Sequence, residues 1–148
     1  MTGRLLECVA SVMFPNENEA FETDEYSTNA PTKRVRERSS PLPVDKGIIS
    51  FAFRDDQAVT WCKKEANTGF EEIRDNTEFF YKSGVVCPVV SGGRAAAVLN
   101  IDCQEHDRFH DLERSIGMHF CSLLSCLFEA AESRIETLSS AGNAEQEL

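Results

Sequence analysis

The stretch Ser83–Ile116, SGVVCPVVSGGRAAAVLNIDCQEHDRFHDLERSI, decides the fold. Two runs rich in Val and Ala, Ser83 to Val90 and Arg94 to Cys103, flank Ser91-Gly92-Gly93. Glycines supply the positive φ that a tight turn between antiparallel strands requires, so the pattern predicts a β-hairpin. Nearly every residue of both runs is apolar, which places the hairpin at the centre of a sheet where both sides are covered. Pro88 lacks an amide hydrogen and predicts a bulge or a non-bonded ladder position within the first run.

Downstream, Leu112, Ile116, Phe120, Leu123, Leu127, Ala131, Ile135 and Leu138 recur at steps of three and four, the spacing of one helix face. Asp107, Asp111 and Glu113 stand where the helix dipole favours anions and mark its start. A second set, Cys121, Leu124 and Phe128, widens the apolar surface beyond what one sheet face covers, so the stripe from Leu112 to Leu138 is expected against the sheet and Leu124 and Phe128 in the paired helices of a homodimer. The helix is expected to end at Leu138 and residues 139–148 to form a flexible polar tail.

Upstream, Leu5 to Phe14 reads as a buried strand ended by Pro15, and residues 15–31 as a long acidic surface loop. Thr32 to Glu37 reads as a weak second strand. The prolines of Ser39 to Lys46 force an extended connection, and GIISFAFR from Gly47 suits either a helix turn or a strand. Asp55-Asp56-Gln57 forms a turn before a short strand at Ala58 to Cys62. Lys63 to Lys82 is irregular and aromatic.

The chain of 148 residues suits one domain, residues 1–138, with 41% hydrophobic and 27% charged residues. A net charge of -10 argues against nucleic acid and anionic membranes as partners. The short basic run Lys33, Arg34, Arg36 and Arg38 reads as a solvated strand face. No apolar run reaches the ~18 residues of a membrane span, and no signal peptide is visible, which predicts a cytoplasmic protein. Six scattered cysteines without C-x-x-C suit reduced, mostly buried thiols rather than a disulfide framework.

The ordered elements resemble the GAF domain family. A strand carrying V-x-P, a glycine turn, a strand ending V-L-N-x-D and a Phe leading into the last helix match its pattern, and DKGIISFAFRDDQAVTW is similar to its glycine-led segment. The resemblance implies an α+β fold: a central antiparallel β-sheet, helices packed on one face and a long C-terminal helix. It also implies a small-molecule pocket above the sheet, roofed by the irregular segment between the middle strands. The family's amino-terminal helix has no counterpart, since the first strand begins near Leu5. Either the chain belongs to a longer one or a partner completes the helix layer. Also missing are the N-K-x-x-x-F-x-x-x-D motif of cyclic-nucleotide members and the Cys-His dipeptide of bilin-binding members.

Candidate ligand-binding residues are Phe53, Trp61, Phe70, Phe79 and Tyr81 as aromatic walls, with Asn100 and Asp102 at the strand end. The alternative is that the aromatics close the core and the two polar residues cap a turn. Cys103, His106 and His110 have a C-x2-H-x3-H spacing, but a closed zinc site wants four compactly arranged ligands, so no metal is expected. Free methionine sulfoxide reductases, an enzymatic branch related to GAF domains, carry a cysteine in a G-V-C-G motif; the matching stretch here is Gly47-Ile48-Ile49-Ser50. No G-x-S-x-G, Walker loop or H-E-x-x-H occurs. The sequence therefore predicts a sensor without catalytic residues. It binds a small molecule and signals through its C-terminal helix, which also makes a homodimer. The alternative is a dimerisation or docking module without ligand. No cofactor is indicated.

Overall fold

The computed structural model describes residues 8–18, 20–22, 42–43, 47–62 and 82–145. It contains β1 (Cys8–Pro15), β2 (Ala20–Glu22), β3 (Leu42–Pro43), α1 (Gly47–Asp55), β4 (Val59–Cys62), β5 (Ser83–Ser91), β6 (Arg94–Cys103) and α2 (Asp111–Glu145). The six strands form one antiparallel sheet in the order β3-β2-β1-β6-β5-β4. The expected α+β class, central antiparallel sheet and long terminal helix are present.

The hairpin stands as predicted. Ser91 pairs with Arg94 around Gly92 and Gly93, whose φ values of 60° and 79° suit a two-residue turn. A register shift between Val89 and Val90 supplies the expected bulge, one residue beyond Pro88. The β4 ladder reaches only Val86, so Pro88 lies past the end of that neighbour, where a missing donor is tolerated.

Strand alternation divides the core into two layers. Val85, Cys87, Val89, Ala97 and Leu99 face α2 and meet Cys121, with Met118, Leu124 and Phe128 packed beside it. Val86, Val98, Met13 and Phe21 face α1 and meet Ala52, flanked by Ile48, Ile49 and Phe53. The helices thus stand on opposite faces rather than both on one, because β5 and β6 are apolar on both sides and each side needs its own cover. GIISFAFR resolves as helix although its Ile and Phe residues are modest helix formers; burial of Ser50 and Ala52 against the sheet outweighs propensity. Asp56, at φ 52°, ends α1 in the left-handed region that Asp tolerates at a helix terminus.

Three sequence readings are corrected. The acidic loop contains β2: Asn16 Oδ1 accepts from Asn18 N at 2.9 Å and Ala20 N at 3.0 Å, turning the chain back onto β1. The terminal helix does not end at Leu138 but continues through Glu145. The longer apolar stripe on α2 faces away from the sheet, with Leu112, Ile116, Phe120, Leu123, Leu127 and Ile135 between 51% and 68% exposed, while Leu124 and Phe128 pack on the protein's own core. Gly117 explains the choice of face: a Cβ there would stand 2.7 Å from Cys87 Sγ, so the sheet accepts the helix only along its small-residue side. The weak strand expected at Thr32 to Glu37 lies outside the described residues.

Candidate functional site

The α1 side of the sheet carries a group of buried polar residues. Two neighbouring rows cross four strands. One runs Val9, Asp102, Gly84 and Trp61; the next runs Ser11, Asn100, Val86 and Val59. Ser11, Asn100 and Asp102 are all buried, and Asn100 Nδ2 donates to Asp102 Oδ2 at 2.9 Å. Polar groups withdrawn from water this far are retained only with partners, and the amide–carboxylate bond supplies one.

Gly84 shapes the floor beside them. A Cβ on it would overlap Trp61 Nε1 and stand 2.7 Å from Trp61 Cε2 and 2.9 Å from the Ile101 carbonyl oxygen. The indole therefore lies down over the strand at a position where no other residue type leaves room. The result is a flat aromatic surface in the same cross-strand row as a buried carboxylate.

The strand holding Asp102 leads directly to α2. Ser83 Oγ donates to the Glu105 carbonyl at 2.6 Å and accepts from Arg108 N at 3.4 Å, tying the connecting loop to the first residue of β5. Arg108 Nη1 pairs with Glu113 Oε1 at 3.0 Å, and Glu113 Oε2 accepts from His110 N at 3.0 Å, the carboxylate half of a capping box. These bonds hold the Glu113 carboxyl below the usual glutamate range, the His110 amide being the main cause.

Of the residues singled out in the sequence, Trp61, Asn100 and Asp102 are brought together on this face. Phe53 is on the same side but sits edge-on against Phe21, ring centres 5.2 Å apart, within the apolar layer. Phe70, Phe79 and Tyr81 lie outside the described residues, as does the expected roof of the pocket. Sequence reasoning missed Ser11 and Gly84. Alternation along CVASVMF was the available signal for Ser11, and a glycine inside an apolar strand was the signal for Gly84. His106 of the C-x2-H-x3-H spacing turns to Cys62, Nδ1 to Sγ 3.9 Å. An open groove of about 410 Å³ lies elsewhere, between Asp56–Ala58 and the Arg114–His119 turn of α2. Its polar groups serve the helix itself: Arg114 pairs with Asp111 at 2.8 Å and His119 Nδ1 donates to the Ser115 carbonyl at 2.8 Å.

This arrangement of sheet and helices superposes on solved GAF domain structures. The fold is GAF-like. The GAF domain from an Acinetobacter phosphoenolpyruvate-protein phosphotransferase is similar at a TM-score of 0.61 and 16% identity, covering 84% of this chain and 73% of that one. Residues 122 to 287 of a methyl-accepting chemotaxis protein are similar at 0.64 and 20% identity, covering 88% and 80%. The free methionine-R-sulfoxide reductase from Neisseria meningitidis, solved with its substrate, is similar at 0.67 and 16% identity, covering 85% and 70%. No family model and no curated protein matches the sequence.

The last of these structures corrects one expectation. Missing motifs led to the reading that the chain is not an enzyme, but the same GAF-like frame serves reductases of free methionine-R-sulfoxide, including those of Staphylococcus aureus and Thermoplasma acidophilum. The fold is thus one that carries catalysis in other proteins, and the lack of a cysteine at Gly47–Ser50 does not exclude it here. Among the described residues no helix is long and apolar enough to cross a membrane.

Proposed function

We propose that the chain is a regulatory sensor domain whose small-molecule site is the α1 face of the sheet over Ser11, Asn100, Asp102, Gly84 and Trp61. The observation that carries this reading is the buried Asn100–Asp102 pair in line with an indole laid flat over a glycine. A carboxylate of this kind favours a ligand with an ammonium or other strong donor, and the indole favours a flat or apolar body beside it. Occupancy at Asp102 is one residue from Cys103 and the loop that Ser83 and Glu113 fasten to α2, which gives the signal a short, hydrogen-bonded route to the helix. The reading keeps the cytoplasmic setting suggested by six scattered cysteines without C-x-x-C.

The output surface in this reading is the exposed α2 stripe, paired with the same stripe of a second copy. Leu112 to Ile135 spans about 35 Å of helix at 1.5 Å per residue. Six large apolar side chains exposed along that length exceed the scattered hydrophobes of an ordinary monomer. The same observation favours the second reading, a docking module without ligand.

Thermal unfolding in the presence of a panel of amino acids, amines, keto acids and cyclic nucleotides separates the two. A ligand at a hundred times its Kd stabilises the folded state by ~2.7 kcal/mol. In the sensor reading a member of the panel gives such a shift, changes Trp61 fluorescence and loses both effects in Asp102→Asn. No shift from any compound, with a dimer that dissociates when the stripe is charged, leaves the docking module. Mass spectrometry of the same mixtures reads any turnover.

A further inference from the structure

Cys8 and Cys103 are direct cross-strand partners on β1 and β6, on the face turned to α2. The Cys103 carbonyl accepts from Lys82 N at 2.8 Å, so the peptide groups of Cys103 point toward β5 and away from β1. Relative to β1 the two cysteines are therefore a non-hydrogen-bonded pair, the closer antiparallel arrangement, with Cα atoms ~4.5 Å apart and side chains abreast. That separation lies within the ~4.4–6.8 Å that a disulfide spans. Cys103 is fully enclosed while Cys8 is half-buried, so the pair has one member that a small reagent reaches and one that it does not.

We propose that Cys8 and Cys103 form a reversible oxidation site, closing to a cross-strand disulfide by exchange with a low-molecular-weight disulfide of the glutathione type. In the first step the Cys8 thiolate attacks one sulfur of the small disulfide. Cys8 becomes a mixed disulfide and one small thiolate leaves, taking up the proton that Cys8 lost. In the second step Cys103, deprotonated, attacks Cys8 Sγ; the Cys8–Cys103 bond forms, and the second small thiolate leaves and takes up the Cys103 proton. Two protein thiols are oxidised and one small disulfide is reduced to two thiols.

The other thiols do not offer this combination. Cys87 and Cys121 are neighbours between β5 and α2, where Cys121 Sγ donates to the Cys87 carbonyl at 3.7 Å, but both are enclosed. Cys126 is exposed on α2. Burial, then the bond and charge of Cys103, raise the Cys8 thiol to about 11, with Glu105 adding to the rise and Arg108 opposing it. Exchange at neutral pH is therefore slow, and the site responds to sustained oxidising conditions rather than brief ones. The bridge fixes the first strand to the centre of the sheet, one residue from Asp102 on the opposite face.

The experiment is incubation of the full chain with glutathione disulfide and glutathione at graded ratios, alkylation of remaining thiols, tryptic digestion and mass mapping. Trypsin places Cys8 alone in the peptide ending at Lys33 and Cys103 alone in the peptide ending at Arg108, so the linkage is unambiguous. The expected result is one cross-linked pair of these two peptides, reversed by dithiothreitol and abolished in Cys8→Ser. Closing so much of the chain into one loop also raises the melting midpoint by roughly 10 °C. The proposal is overturned if Cys126 is fully glutathionylated with no cross-linked peptide present, if Cys8 stops at the mixed disulfide, or if the bridge joins a different pair. Because the wild-type map alone decides among these outcomes, the test does not depend on a variant's folding.

Discussion

Replacing Gly84 with Ala tests the geometry of the candidate site most directly. Gly84 is not among the glycines with positive φ, so its backbone suits an L-residue. At such a position Ala normally stabilises by ~0.4–1 kcal/mol, because the unfolded chain loses freedom. Here the added Cβ overlaps Trp61 Nε1, stands 2.7 Å from Cε2 and 2.9 Å from the Ile101 carbonyl. The indole can swing away; the carbonyl belongs to the neighbouring central strand and cannot move without disturbing β6. Overpacking of this kind costs ~1–3 kcal/mol, which outweighs the entropic gain and leaves a net loss of about 1–2 kcal/mol. For a chain of this length that is a fall in melting midpoint of roughly 2–8 °C. Trp61 is the single tryptophan, so its emission reports on the same residue that the methyl group displaces. Urea unfolding followed by fluorescence and circular dichroism provides both readouts. In Trp61→Ala, the further change Gly84→Ala is expected to cost less, the remainder belonging to the carbonyl. A Gly84→Ala chain as stable as the wild type, with unchanged emission, would refute the reasoning.

Three further predictions follow from other parts of the molecule. Asn100→Ala removes the amide that donates to the buried Asp102 carboxylate and is expected to cost ~1–3 kcal/mol in urea unfolding; a cost below about 0.5 kcal/mol contradicts that role. Leu123→Glu with Leu127→Glu is expected to leave the melting midpoint within a few degrees and to convert dimers to monomers in sedimentation at micromolar concentration, whereas Leu124→Glu destabilises the fold; a wild-type chain already monomeric there defeats the dimer. Glu113 accepts from His110 N and Arg108, so its carboxyl is held low, and its contribution is present above the ordinary glutamate range and lost as pH falls through the lower folded value. Wild type and Glu113→Ala should therefore differ in melting midpoint at neutral pH and converge in acid below that range; a constant difference across the titration contradicts the cap.

The hairpin was legible because every level of the sequence agreed on it: apolar runs of strand length, paired glycines between them, and a proline answered by a bulge one residue on. Asn100, Asp102 and Trp61 could be picked out as candidates for a related reason, since a polar pair in a buried strand and a lone indole have few uses, and the register sets them on one face. Ser11 was not, because its neighbours in CVASVMF include small and medium-sized side chains that do not stand out as two alternating classes. The strand β2 was hidden by composition: its acidic surroundings read as loop, and the turn that returns it depends on an Asn side chain bonding to its own neighbours. GIISFAFR was undecidable locally because Ile and Phe serve strands and helices alike, and only the uncovered sheet face settled it.

The terminal helix shows why hydrophobic periodicity identified an element correctly and mistook its faces. A stripe of Leu, Ile and Phe marks the side with most to gain from burial, but it does not mark the side that a sheet can approach. The sheet under α2 is built from Val, Cys, Ala and Leu, and it meets the helix at Gly117 and, one turn on, at Cys121. At Gly117 even a methyl group would press on Cys87 Sγ, so close approach along the small-residue side yields tight packing for Met118, Leu124 and Phe128 at its margins. Turning the Leu112–Ile135 stripe inward would force the helix away from the sheet and leave voids around Cys87 and Val89. The bulky side chains are accordingly left outside, and the free energy of covering them becomes available to association instead of folding. A helix that packs along a small-residue line, with Met118, Leu124 and Phe128 at its margins, and leaves its largest apolar side chains outside is what the proposed output surface requires, because the fold closes without using that stripe.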